Sequence, residues 1–318
     1  AICTALSKNG LVARTIWVSS LRDKEIKSNV CQIFRQENVQ AIITSTSFSS
    51  VKYEDAAYEN DLWNKINVPI FQLITSTASK KNWEKSSVGL NSLDLSLQIV
   101  MPELDGRITT RPAGFKTIIK PDNNLVTAIQ IVKPEINNLN WIVKYIKNWI
   151  ILKQTQNNKK KICLILANYP VKDGRIANGV GLDTPESTIS ILNMLLKEGY
   201  NLGAKANVPK TGKELINKLL KGRTNSPEST SKLPMDYLNL EDYMSWWKTV
   251  PKAAKIKIVN RWGEPQYSKD LEVKGFPICG ISLLNVVILL QPYRGYEQDN
   301  IKDLHSPDLP PHHRYLAQ

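Results

Sequence analysis

The 318-residue chain is short of the residues that mark disulfide, zinc or redox chemistry. Its four cysteines (Cys3, Cys31, Cys163 and Cys279) lie too far apart for a zinc or redox pair. It has only three histidines, His305, His312 and His313, all near the end of the sequence. No apolar run reaches the ~18–20 residues of a membrane-spanning helix; the most apolar stretch, Ile278 to Leu290, is interrupted by Ser282 and Asn285. No charged n-region followed by an apolar segment opens the chain, so no secretory signal is visible and a cytoplasmic location is expected. The first residues, Ala1 to Leu11, read as a helix with no initiator Met, as expected of an internal fragment of a longer protein. Acidic residues are also in deficit, 29 against 42 basic ones, for a formal charge of +13. That excess fits either a solvated basic surface or an anionic partner. Nucleic acid is disfavoured as that partner, because neither zinc-finger spacing nor an aromatic-rich RNA-binding signature occurs.

What the chain does have is 42% apolar residues against 22% charged ones, a globular balance, and enough length for about two domains. Thr15–Val18, Ala41–Thr44 and Val68–Ile74 read as buried strands. Between the first two, Ile26, Val30, Ile33 and Phe34 recur at helical spacing within Asp23–Glu37. Pro102, Pro112, Pro121 and Pro134 then break the periodicity over residues 101–135, and a strongly apolar helix resumes over Leu139–Lys153. Ile162–Ala167 is six apolar residues long, as for a strand buried on both faces, and a loop with Gly174, Gly179 and Gly181 follows. Thr184 as N-cap and Pro185 mark the next helix, which ends at Gly199. Further helices are expected at Gly212–Lys221, Leu240–Thr249 and Lys252–Val259, and a last buried strand at Asn285–Leu290. The fold class is α/β: two Rossmann-like parallel-sheet units with helices on both faces, plus extra helices. The units are expected at residues 1–135 and 136–318, the second holding the glycine loop, a helical insert and a histidine-containing C-terminal loop.

Three clusters have the residue types for chemistry. The loop from Asn168 to Pro185 is neither a phosphate loop nor a dinucleotide fingerprint. Gly179 and Gly181 would let backbone approach a ligand closely, and the free N–H groups of the following helix start would favour a carboxylate; a tight structural turn is the alternative. Glu103 and Asp105, in Pro102–Arg107, would share one face of an extended segment, where one could act as a base; a solvated turn is the competing reading. His305, His312 and His313 with Asp303 and Asp308 offer donors for a first-row divalent metal, and chance clustering in a surface loop is the alternative. Arg294, just upstream, could fork onto a carboxylate.

These stretches, taken in order, resemble one family of tetrapyrrole chelatases, the large subunits of cobaltochelatase and magnesium chelatase. The resemblance rests on PELDGR (Pro102–Arg107), NYPVKDGRIANGVGLDTP (Asn168–Pro185), RWGEP (Arg261–Pro265), QPYRGY (Gln291–Tyr296) and HSPDLPPHHRYL (His305–Leu316). Arg294 and His305 favour the cobalt branch over the magnesium branch. Leu284 departs from the pattern, since the family commonly has glycine there. The resemblance implies ATP-dependent insertion of Co²⁺ into a corrin ring, hydrogenobyrinic acid a,c-diamide, in cobalamin biosynthesis. Co²⁺ is the substrate metal, and ATP with Mg²⁺ sits on a partner AAA+ ATPase subunit beside a second small chelatase subunit. Catalysis falls to Glu103 with Asp105 in support, and ring binding to Asn168, Arg175, Gly179, Gly181 and Arg294. Metal transfer falls to His305 and His313. Insertion of Mg²⁺ into protoporphyrin, or a non-catalytic tetrapyrrole carrier, are the alternatives. The fragment alone is expected to be inactive.

Overall fold

The computed structural model describes residues 1–50, 66–122, 127–168, 173–177, 179–295 and 309–318. The chain divides into two compact units, Ala1–Gln154 and Thr155–Gln318. The observed boundary lies some twenty residues beyond the expected one, because the apolar helix Ile136–Gln154 packs on the first sheet rather than opening the second unit.

In the first unit, α1 (Ile2–Lys8) and α2 (Lys24–Gln36) precede β1 (Ile42–Thr44), and β2 (Ile70–Ser76) and α3 (Lys80–Lys85) follow. A continuous helical segment then runs through Ser92–Leu95, Ser96–Val100 and Met101–Glu103 into β3 (Ile108–Asp122), β4 (Thr127–Pro134) and α4 (Ile136–Gln154). The strand order is β1-β2-β3-β4. The first three strands are parallel and β4 is antiparallel to β3, so the sheet is mixed rather than purely parallel. Helices cover both faces because side chains alternate along a strand. Ile70, opposite Ile42, packs with Val30 and Cys31 of α2, whose start is capped by the Asp23 carboxylate accepting from the N–H groups of Glu25 and Ile26. Its neighbour Phe71 turns the other way, onto Leu139, Ile142 and Ile146 of α4. Each such fully buried side chain contributes roughly 1.5–3 kcal/mol. Thr15–Val18, expected as a strand, is irregular.

The stretch whose periodicity the prolines break holds the longest strand pair of the described residues. Pro112, Pro121 and Pro134 all lie within β3 and β4, and Pro112 falls where the β2–β3 register shifts, so a missing N–H is tolerated. Beyond the Phe115–Lys133 pair the two strands, among the described residues, pair only with each other, a ribbon with Ile118, Ile119, Ile129, Ile131 and Val132 exposed.

The second unit has a three-stranded sheet in the order β5-β9-β8, formed by β5 (Ile162–Leu166), β8 (Gly280–Leu283) and β9 (Val286–Leu290). β5 and β9 are parallel; β8 is antiparallel. Leu192 and Leu195 of α5 (Thr184–Lys197) and Leu215 and Leu219 of α6 (Gly212–Lys221) pack against Leu166, Val286, Ile288 and Leu290. The other face of β5 is open: Cys163 is exposed and Ile165 is 60% exposed, so this strand is buried on one face and not on both as expected. β6 (Asp236–Leu238) and β7 (Phe276–Ile278) form a separate antiparallel pair. α7 (Leu240–Trp247), α8 (Lys252–Trp262) and α9 (His313–Ala317) gather near it around Tyr243, Trp247, Ile258 and Phe276. The turn from β8 to β9 holds Leu284 at φ 60°, the left-handed region, at the position where the resemblance expects glycine. Among the described residues no helix is long and apolar enough to cross a membrane.

Candidate functional site

The two carboxylates of PELDGR have different surroundings. The segment enters as a helical turn rather than extended, so Glu103 and Asp105 do not share a face. Glu103 is exposed, and among the described residues its carboxylate receives a long contact from Thr109 Oγ1 at 3.5 Å. The Asp105 side chain is fully buried and ion-paired with Arg107 Nη2 at 2.6 Å. It also accepts from Arg107 Nε (3.0 Å), Ser49 Oγ (2.6 Å) and the Ser50 N–H (2.8 Å). Arg107 reaches across the sheet face at Gln72 to the loop that leaves β1. Its remaining N–H groups go to the carbonyls of Thr46 (2.9 Å) and Phe48 (3.1 Å) and to Gln72 Oε1 (2.9 Å), so all five guanidinium donors are used. A carboxylate so engaged holds structure. A neighbouring network does the same at the end of β2, where buried Asp94 accepts from Ser76 Oγ (3.1 Å), the Thr77 N–H (2.8 Å) and Asn91 Nδ2 (3.1 Å). Together these networks clamp the loops after β1 and β2 onto the helical segment that carries Glu103.

In the second unit, Asn168 and Gln291 follow the carboxyl ends of the parallel neighbours β5 and β9, the edge where open α/β sheets bind ligands. Asn225 ties the two together, donating from Nδ2 to the Asn168 carbonyl (2.6 Å) and the Gln291 carbonyl (2.9 Å). Asn225 Oδ1 in turn receives Arg314 Nη2 at 3.4 Å. Three of the motif stretches therefore meet at one buried point. Arg314 is 5% exposed and has no carboxylate partner among the described residues; its other neighbours are Cys279 Sγ (3.2 Å) and the Tyr293 ring. Arg314 Nε and Asn168 Oδ1 are both buried and find no hydrogen-bond partner among the described residues. An orphaned donor and an orphaned acceptor in one network leave two polar valences for a bound group. Burial pushes the Cys279 thiol up even though Arg314 pulls it down, so sulfur stays protonated at neutral pH.

Gly179 and Leu182 close a tight turn, and a Cβ at Gly179 would lie 2.7 Å from Thr184 Oγ1. Gly181 has φ +75° and open space around it. The cap of α5 is Asp183, one residue before the expected Thr184, and its side chain accepts from the Glu186 N–H. Glu186 adds a second carboxylate that accepts from the Gly212 N–H (2.6 Å). This helix start already carries two acidic groups and does not invite a third anion. Arg294 is half-buried after β9; Arg175 lies in a short helical turn, Asp173–Arg175.

His313, expected as a metal ligand, has both ring nitrogens engaged within the protein. It is fully buried, its Nδ1 faces Tyr243 OH at 2.9 Å and its Nε2 faces the Gly263 carbonyl at 2.9 Å. A carbonyl only accepts, so Nε2 carries the proton and Nδ1 accepts from the tyrosine; both nitrogens are occupied. Burial pushes its pKa down, which keeps the ring neutral. His312 is likewise committed, to the Tyr293 carbonyl (2.7 Å) and the Tyr315 N–H (3.2 Å), and is stacked on the Tyr293 ring. Among the described residues no group of three or more His, Cys, Asp and Glu side chains is arranged to hold a metal. His305, Asp303 and Asp308 lie outside the described residues. Arg107, Arg314 and Asn225 escaped sequence reasoning. The first two stood inside quoted motifs as cations beside more conspicuous residues, while Asn225 had no signal at all.

The comparisons agree with the motifs. A family model described as CobN/Magnesium Chelatase matches residues 1–318. The aerobic cobaltochelatase subunit CobN of Sinorhizobium sp is 32% identical over 317 residues, which is 100% of this chain and 24% of that protein. The magnesium-chelatase subunit ChlH of Oryza sativa subsp. indica is 26% identical over 288 residues, 88% of this chain and 19% of that protein. The solved catalytic subunit of cobaltochelatase from Mycobacterium tuberculosis superposes with a TM-score of 0.75 at 25% identity, covering 99% of this chain and 26% of that one. The chain thus spans about a quarter of the length of the relatives it matches. By sequence along its whole length and by fold, it belongs to the CobN/magnesium chelatase family.

Proposed function

We propose that this chain is part of the large, ring-binding subunit of a cobaltochelatase, which inserts Co²⁺ into hydrogenobyrinic acid a,c-diamide in the cytoplasm during cobalamin biosynthesis. Insertion is driven by ATP hydrolysis on an AAA+ partner assisted by a second small subunit. The observation that carries this reading is the likeness to CobN along the whole of this chain at 32% identity, against 26% for the magnesium-branch ChlH. Metallation of a corrin replaces its one inner N–H proton with a divalent ion and leaves a net positive complex, so the protein must accept or relay that proton while the ion sheds water. Glu103 is the base: it is exposed beside a rigid frame, where Asp105 and Arg107 hold its segment in place. Asp105 therefore serves by positioning. Asn168 Oδ1 is suited to a peripheral amide N–H of the ring and Arg314 Nε to a carboxylate or amide oxygen, with Arg294 and Arg175 contributing charge and Gly179 and Gly181 shaping the loop. His305 remains the candidate metal carrier.

The test uses the full-length subunit with its partners. Glu103→Gln keeps ring binding and lowers the insertion rate at least ~100-fold, as expected for loss of a general base. Insertion at the parental rate removes Glu103 from the reaction, and ring binding without any ATP-dependent insertion in the parent protein identifies a carrier.

A further inference from the structure

The loop leaving β1 contains a feature that packing does not explain. Phe48 has φ 66°, in the left-handed region that a bulky side chain rarely enters. Such strain persists only when surrounding bonds over-determine it. Here the Phe48 N–H donates to the Leu97 carbonyl (3.0 Å) and its carbonyl accepts from Arg107 Nη2 (3.1 Å). The next two residues are fixed by Asp105, through Ser49 Oγ (2.6 Å) and the Ser50 N–H (2.8 Å). Arg22 Nε adds a bond to the Ser49 carbonyl (3.1 Å). A distortion that served the core would end with the residue inside, yet Phe48 is 47% exposed. Arg22 stands 5.9 Å from its ring centroid, a cation beside an aromatic face. The residues that impose the strain belong to the helical segment and the motif on either side of Glu103, so the ring and the exposed carboxylate are held by one frame.

We infer that Phe48, flanked by Arg22, is a stacking platform that positions a flat conjugated macrocycle in the first unit, with Arg22 available to an acidic substituent on the ring's rim. This rests on the tetrapyrrole reading above and adds a residue that positions the ring. An aromatic face held in place before the ligand arrives loses little freedom on binding, which is the return for the strained backbone.

The experiment titrates the full-length subunit with hydrogenobyrinic acid a,c-diamide, followed by the ring's visible absorption, and records Tm in parallel. Phe48→Leu keeps apolar bulk but removes the π face, and raises Kd about tenfold, equivalent to ~1.4 kcal/mol. Phe48→Trp binds at least as tightly as the parent. Phe48→Gly relieves the left-handed backbone, so Tm holds or rises while Kd increases at least as much as in Phe48→Leu. A merely structural phenylalanine would give the opposite pairing, with Tm lost on Phe48→Gly and Kd unchanged in Phe48→Leu, and either result overturns the inference. If the parent subunit fails to bind the ring at all, the tetrapyrrole reading itself falls, an outcome distinct from normal parental binding with an indifferent Phe48→Leu.

Discussion

The Asp105–Arg107 pair permits the most quantitative expectation. Both side chains are withdrawn from water, at 0% and 1% exposure, and Arg107 spends its five donors on Asp105, Thr46, Phe48 and Gln72. Asp105→Asn is nearly isosteric and keeps an acceptor for the Ser50 N–H, so the principal loss is charge. Removing one member of a buried pair leaves an uncompensated ion and costs about 3–5 kcal/mol. Against a total of about 5–15 kcal/mol for a domain, that is roughly a fifth or more of the first unit's stability. At ~2–4 °C per kcal/mol for a body of this size, calorimetry of the 318-residue chain should show a transition lowered by roughly 6–20 °C. Arg107→Gln should cost a comparable amount, by leaving the carboxylate unpaired. The double variant Asp105→Asn with Arg107→Gln should cost clearly less than the two combined, because contacting residues couple. A loss below ~1 kcal/mol for Asp105→Asn, or strictly additive costs, would refute the view that this pair anchors the loop after β1.

Two further expectations concern the second unit. Burial lowers the pKa of both His312 and His313 in the folded state, whereas the unfolded chain protonates them near the ordinary value of 6.5. The unfolded state therefore binds more protons in this range, so the contribution is intact above that value and is lost as pH falls below it. Tm recorded from pH 7.5 to 5 should decline, and His313→Gln should flatten the decline even though its starting Tm is lower; an unchanged slope would contradict the assignment. Leu284, at φ 60° and 62% exposed, buries little and strains its turn. Leu284→Gly should raise stability by about 0.5–1 kcal/mol, the left-handed penalty less glycine's entropy, and a lowered midpoint in urea would show that the turn is not strained.

Local signals served the elements well. The helical spacing of Ile26, Val30, Ile33 and Phe34 located α2, and Gly212–Lys221 is the observed α6 from end to end. The misreadings came from tertiary context. Prolines that break a helix sit comfortably in the β3–β4 hairpin, one of them at a register shift, so residues 101–135 showed only a broken periodicity. The apolar run of β5 implied two covered faces, but nothing in a run of Ile, Cys and Leu tells which face its neighbours leave open. The candidate site was legible as motifs but not as roles. Glu103 and Asp105 stand two apart, and only the fold makes one a solvent-facing carboxylate and the other the inner half of an ion pair. His313 advertised metal chemistry from composition, while its actual partners, Tyr243 and Gly263, lie 70 and 50 residues away.

The order of elements in the first unit also bears on how the protein is made. The helix that seals Phe71 and Ala113 is the final element of that unit, Ile136–Gln154. During translation the apolar face of β2 emerges well before its cover exists. At about 5–20 residues per second, that face waits several seconds on the ribosome for α4. Nascent chains stalled between β4 and α4 should be the ones that most need a chaperone.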